Sequence, residues 1–269
     1  KGAEPSSQQV SPEGGFISAA KIQSLRERFL ADQAYAADLT PEKSLYDIAS
    51  TVFAAQKVML AEHFRCVHPI IAYSNRTFYK DQIKPLRLPK ASERLDPPLI
   101  DIYVTTGERG KKDANRQEAE AIAAEIEAIL RNPKLRHRTL GVVSLLGPDQ
   151  AQLVDTLVRS RCDAAELLRR RFECGDARVF QGSERDIMFL SMVADSRNHH
   201  ALSGNMFEQR FNVAASRARD RMYLVRSVRL DELSTADIRR TLLQHFSKPM
   251  ESNDEHSSLI DLCESGFER

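Results

Sequence analysis

Apolar residues recur at helical spacing near the start of the chain, at Ala19, Ile22, Leu25 and Phe29, which predicts a helix over residues 18–30. Pro41 and Ser44 mark a fresh start before Leu45-Tyr46-Asp47-Ile48, so this region reads as helical throughout. The pattern then changes. Lys57-Val58-Met59-Leu60 reads as a short strand, and residues 69–79 as a helix that carries proline in its first turn. Residues 80–98 hold Pro85, Pro89, Pro97 and Pro98 among many charges and read as a surface connection.

From Leu99 onward strand and helix patterns alternate. Residues 99–104 are strand-like, and Asn115-x-x-Glu118 is a capping box opening a helix with Ala119, Ile122, Ala123, Ile126, Ile129 and Leu130 on one face. Pro133 stops it. A strand over 140–145, a helix over 148–158 and a basic helix over 163–172 follow; residues 178–180 and 186–193 read as two strands close together. A helix over 207–218 and a short strand over 222–225 complete the series. Strands alternating with helices imply crossovers and a parallel sheet covered on both faces. The expected architecture is a doubly wound α/β domain over residues 56–230, with a helical lead-in over 1–55 and a helical extension and linker tail over 231–269.

Composition narrows the class. In a chain of 269 residues, 42% hydrophobic and 29% charged residues are globular proportions. Thirty-nine Lys+Arg against thirty-eight Asp+Glu leave a net charge of +1, so any site for nucleic acid must be local. The longest apolar runs are four residues, such as 187–190, against roughly 20 for a membrane span, so no membrane partner is expected. The four cysteines form no C-x-x-C pair and read as reduced thiols of a cytoplasmic protein, with no metal site. The first residues have neither an initiator Met nor a signal-peptide core and read as a cut inside a longer protein.

Three segments carry candidate chemistry. In 212–219, Asn-Val-Ala-Ala-Ser-Arg-Ala-Arg, a helix would bring Arg210, Arg217 and Arg221 near one face, where a guanidinium could reach phosphate oxygens. A solvated basic helix is the plainer reading from composition. In 180–186, Gly182 and Glu184 stand in a tight link between two strands; at the carboxyl end of a parallel strand that is where ligands bind, and an ordinary polar turn is the alternative. In 62–66, Phe64 beside Arg65 could stack on a base and contact a phosphate. Asp195, His199 and His200 lack further ligands at suitable spacing, and Arg169-Arg170-Arg171 reads as a solvated face.

In order, these segments resemble the carboxyl-terminal half of superfamily 1 helicases, in the branch of the nonsense-mediated-decay RNA helicases. Gln9-Val10-Ser11-Pro12 is similar to the end of motif III, and Glu62-His63-Phe64-Arg65-Cys66 with Ile70-Ile71-Ala72-Tyr73-Ser74-Asn75 to motif IV and its helix. Gly141-Val142-Val143-Ser144-Leu145-Leu146 with Gln150 resembles the strand and turn that follow; residues 179–186 resemble motif V and residues 210–219 motif VI. Cys263-Glu264-Ser265-Gly266-Phe267-Glu268-Arg269 resembles the opening helix of Vsr-like nuclease domains, a polar tail being the other reading.

The resemblance implies the second RecA-like motor domain of an ATP-dependent helicase. It makes Gln9 a γ-phosphate sensor, Phe64 the adenine-stacking ring, Arg65 and Arg217 the arginines reaching the triphosphate, and Glu184 the ribose ligand. Gly182 and Arg210 join them on the nucleotide side, and Asn75, Ser144 and Gln150 are candidates for the nucleic-acid side. Phosphate-binding loop and Mg²⁺-holding Asp-Glu motifs are absent from the sequence. ATP with Mg²⁺ is therefore expected to be held mainly by an upstream RecA-like domain of the same protein, and this chain alone to hydrolyse none. Single-stranded DNA is the expected track, with RNA as the other candidate. A non-catalytic RecA-like scaffold is the alternative function.

Overall fold

The computed structural model describes residues 19–33, 45–110, 112–197 and 200–247. Helices α1 (Ala19–Phe29) and α2 (Leu45–Val52) precede a two-stranded parallel ladder of β1 (Glu62–His63) with β2 (Lys84–Pro85), between which lies α3 (His68–Phe78). The remaining strands form a five-stranded sheet: β3 (Leu99–Tyr103), β4 (Leu140–Ser144), β5 (Glu173–Asp176), β6 (Arg185–Asp195) and β7 (Ala218–Ser227). Their spatial order is β3-β7-β6-β4-β5, and every pair is parallel. Helices α4 (Arg116–Arg131), α5 (Pro148–Arg161), α6 (Ala164–Arg169) and α7 (Asn205–Ala215) make the crossovers, and α8 (Ile238–Ser247) follows the sheet.

The expected α/β class with a parallel sheet covered on both faces is what the chain adopts. Alternation along the strands divides the core in two. Ile187 and Phe189 of β6, Val142 of β4 and Tyr223 of β7 pack with Ile122, Ile126 and Val154 from α4 and α5. Met188, Leu190, Val143 and Leu224 face the other way, against Ile70, Phe211 and Val213 from α3 and α7. Leu242, Leu243 and Phe246 of α8 belong to that second cluster, so the core continues past residue 230. Phe189 and Tyr223 stack across neighbouring strands, with centroids 4.3 Å apart and planes at 14°. Among the described residues no helix is long and apolar enough to cross a membrane.

Several local expectations are corrected. Residues 57–60 form no strand; Val58 and Leu60 are exposed, and the ladder begins at Glu62. Residues 178–180 form a turn rather than a strand. The Asp176 carboxylate accepts the N–H of Arg178 at 3.0 Å, which turns the chain, and the true edge strand is the less hydrophobic Glu173–Asp176 just before it. Helix α7 stops at Ala215, not at 218: Ser216 Oγ turns back to the carbonyls of Asn212 and Val213, and β7 is already pairing at Ala218. Arg170 is buried rather than solvated: it is held by Glu166 and by the carbonyls of Leu135 and Arg138.

Asn115 caps α4 as expected, its side chain accepting the Glu118 N–H at 3.0 Å, but the capping box is not closed: the Asn115 N–H donates to Gln150 Oε1 at 2.7 Å and the Glu118 carboxylate is engaged elsewhere. Glu118 also does something spacing did not announce. It is fully buried at the carboxyl end of the sheet, where its oxygens accept Ser191 Oγ at 2.8 Å, Ser227 Oγ at 3.0 Å and the Val193 N–H at 3.0 Å. Val193 has φ +56°, a left-handed conformation that costs a β-branched residue, and it lies where the β6–β7 register slips between Ser191 and Asp195. Glu118 holds that bulge by its N–H.

Burial pushes the Glu118 carboxyl up to about 7, against hydrogen bonds from Val193, Ser191 and Ser227 that pull it down. Between its ordinary value of 4.5 and about 7 the folded chain keeps a proton that the unfolded chain has released, so stability falls as pH rises through this window. Urea unfolding at pH 5 and pH 8 should show Glu118 contributing about 2–3 kcal/mol of that fall. Glu118→Gln, which cannot titrate, should flatten the dependence; an unchanged slope would exclude Glu118 as its source.

Candidate nucleotide-phosphate site

The site grows from three chain segments that meet at the amino end of β6 and β7. The first is the link from β1 to α3, carrying Phe64, Arg65 and Cys66. It is fastened by the Val67 N–H to the Arg219 carbonyl at 2.9 Å and by the Cys66 N–H to His63 Nε2 at 3.0 Å. His63 therefore accepts through a bare nitrogen. Burial first, and the Arg65 charge second, lower its pKa to about 4, so the ring stays neutral at physiological pH.

The second segment, residues 177–184, leaves the carboxyl end of β5 and runs back to the amino end of β6. Glu184 thus sits at the amino end of the strands, correcting the expectation that this link lies at a carboxyl end. Gly182 has φ +80°, a conformation glycine adopts without strain, and it lets the chain turn into Ser183 and Glu184. The third segment is the elbow at Ser216 and Arg217, between α7 and β7.

The elbow decides the electrostatics. Arg217 is 3% exposed, yet its guanidinium finds only carbonyls: Nε donates to Val213 at 3.0 Å and Nη1 to Ser183 at 3.5 Å. Among the described residues no carboxylate lies within ion-pair distance of it. Burial, reinforced by the nearby Arg65 charge, lowers its pKa to about 10. Buried charges are usually paired, because desolvation costs several kcal/mol per ion. Arg65 is paired, through Nε to Glu184 Oε2 at 2.5 Å, with a weaker contact from Nη1 to the Ser216 carbonyl at 3.4 Å. Ser183 Oγ, also buried, has no hydrogen-bond partner. Phe64, next in chain to Arg65, leaves 64% of its surface open. Cys66 is fully buried and its thiol is raised to about 12, so it is not a nucleophile.

The structure thus brings together Phe64, Arg65, Gly182, Glu184 and Arg217. It leaves Arg210 apart, mid-helix over the Phe207 ring, with one long contact from Nη1 to the Leu146 carbonyl at 3.4 Å. Arg221 is not on the helix at all; it stands on β7 and donates to the carbonyls of Pro97 and Asp96.

Asn75, Ser144 and Gln150 all face inward. Asn75 brackets Ile83, donating to its carbonyl at 2.9 Å and accepting its N–H at 2.8 Å. Ser144 accepts the Gly147 N–H, and Gln150 joins Asn115 to Ser191. Gln9, His199 and residues 263–269 lie outside the described residues. Among the described residues no three His, Cys, Asp or Glu side chains group as a metal site. The sequence reading did not single out Ser183, Ser216 or Arg219; they flank the chosen residues, but nothing in spacing shows which would be buried.

A buried, uncompensated cation destabilises the fold it sits in. Arg217→Met, similar in length but without charge, should raise the urea midpoint by the equivalent of about 1–2 kcal/mol. A lower midpoint would mean that the carbonyl contacts outweigh the desolvation.

No curated protein matches the chain. Among solved structures, the C-terminal domain of a possible DNA helicase from Lactobacillus plantarum WCFS1 is similar at 11% identity, over 60% of this chain and 86% of that one, with a TM-score of 0.37. A family model described as an AAA domain matches residues 41–229, well over half of the chain and including the β1 ladder, the whole sheet and the arginine elbow. The chain belongs to the AAA domain family.

Proposed function

We propose that this chain is the second, RecA-like motor domain of an ATP-dependent superfamily 1 nucleic-acid helicase, and that the cluster at the amino ends of β6 and β7 is its half of the ATP site. The observation that carries the reading is Arg217, a residue only 3% exposed whose guanidinium has carbonyl partners only. Such a group is costly to keep for structure and suited to an anion. It is pre-positioned, poorly hydrated and presents its donors in a fixed fork.

The residues present fit a nucleoside triphosphate. Arg217 and Arg65 would bind its phosphate oxygens, Ser183 Oγ would find a partner there, and the open face of Phe64 would stack on the base. Glu184 would take the ribose hydroxyls, and the positive φ of Gly182 lets the backbone approach. Gln9 would sense the γ-phosphate. The carboxylates nearby, Glu184 and Asp186, already face Arg65 and Arg219, so this half offers no evident Mg²⁺ ligand. The metal would bind with the phosphate loop of a facing domain, where it neutralises charge on the phosphates.

Closing two such domains on ATP and reopening them on hydrolysis moves a motor along a single strand, which we take to be DNA in preference to RNA. Cys66, Cys162 and Cys174 are free thiols, in keeping with a reducing compartment.

The test is Arg217→Ala in the intact protein that joins this chain to its facing domain. ATPase turnover should fall about 10³-fold, as when an arginine finger is removed. Unchanged turnover would favour a non-catalytic scaffold module.

A further inference from the structure

Glu184 stands between guanidinium groups. Its Oε2 takes the Arg65 Nε–H at 2.5 Å, and its Oε1 lies 3.7 Å from Arg219 Nη1. Arg219 is itself incompletely served: its Nε is buried without a hydrogen-bond partner and stands 3.8 Å from Asp186. Arg217, deeper, has no carboxylate. Glu184 is therefore the carboxylate of Arg65 and shares Arg219 with Asp186, while Arg217, the inner part of the cluster, is left uncompensated. The Arg65 and Glu184 side chains keep 29% and 38% of their surface in solvent, so their pair is weak enough to be broken by a competing anion.

We propose that Glu184 is a built-in counter-anion of the arginine cluster, which a polyphosphate must displace from Arg65 before that arginine can bind it. The inference rests on the nucleotide reading of the site. The exchange sorts ligands by charge. A single phosphate satisfies Arg217 and leaves Arg65 on Glu184. A triphosphate carries enough further charge to draw Arg65 away from a lone carboxylate, so Arg65 engages only when the longer chain is present. Displacement also leaves Glu184 free to accept hydrogen bonds from hydroxyl groups on the same ligand. Arg65 gives up little besides Glu184, since its other contact, to the Ser216 carbonyl, is long at 3.4 Å.

The probe is inorganic tripolyphosphate, titrated calorimetrically into this chain, with monophosphate alongside. Glu184→Gln keeps the shape and removes the charge; it should bind tripolyphosphate three- to tenfold tighter and lose part of the preference for tripolyphosphate over monophosphate. Arg65→Gln should weaken tripolyphosphate binding about twofold in the parent chain and about tenfold in the Glu184→Gln background, because only there is Arg65 free from the start. Equal or weaker binding by Glu184→Gln, or the same cost of Arg65→Gln in both backgrounds, would overturn the proposal. Thermal unfolding checks each variant, and Glu184→Ala repeats the measurement if the amide disturbs the turn. Arg217→Ala separates the two levels. If it weakens binding while Glu184→Gln changes nothing, the counter-anion fails and the site stands. If it changes nothing, or if no protein binds tripolyphosphate, the site itself fails.

Discussion

The pairing of β6 with β7 is the constraint on which everything else rests. Arg185 lies opposite Ala218, and the Arg185 N–H donates to the Arg217 carbonyl at 3.1 Å. That bond makes neighbours of the residue before each strand, Glu184 and Arg217, which are far apart in sequence. A slip of one residue would turn every side chain of β6 to the opposite face, moving Ile187 and Phe189 out of one core and Met188 and Leu190 out of the other. Because both faces are buried, both object to the slip. The alternation of side chains between two apolar cores, which looks like a matter of stability, is thus what aims the arginine elbow.

The β6–β7 pair carries strained or costly features at its two ends, and both lean on a rigid middle. At the amino end a guanidinium is kept from water with no carboxylate of its own. At the carboxyl end Val193 is held in a left-handed conformation by a buried carboxyl group. Between them 187–190 is fully buried and hydrogen-bonded on both sides, to β4 and to β7. Local strain of this kind persists where surrounding structure over-determines it, and it clusters at working parts of proteins.

Long periodic segments were legible in the sequence because they are buried on a single, regular face. The spacing of Ile122, Ile126 and Ile129 and the Asn115 cap gave α4 to within a residue, and the unbroken apolar run 187–190 gave the central strand. Short or edge elements were not. β5 is four residues with glycine and two acids, and no alternation marks it; Val179-Phe180 looked more like a strand because both are apolar, although Asp176 turns them aside. The exposed Val58 and Leu60 misled in the same way. For the site, the chain order of Phe64, Arg65, Glu184 and Arg217 could be read by resemblance, whereas their environments could not. A helix running to 218 as expected would have put Arg217 on an open face with Arg210. The helix ends at Ala215 instead, and the turn through Ser216 into β7 leaves Arg217 buried.

The shape of β5 also bears on how the chain behaves among its own copies. A parallel sheet must end somewhere, and an open edge is a template for another strand. Here that edge is short, Gly175 leaves room for Val179 to lie against it, and the Asp176 turn leads the backbone away. Arg178 pairs with Asp176 beside it, adding charge to the same border. A sheet with so apolar a centre is thereby finished, on its β5 side, with a short border whose two acids and turned-away backbone resist the addition of another strand.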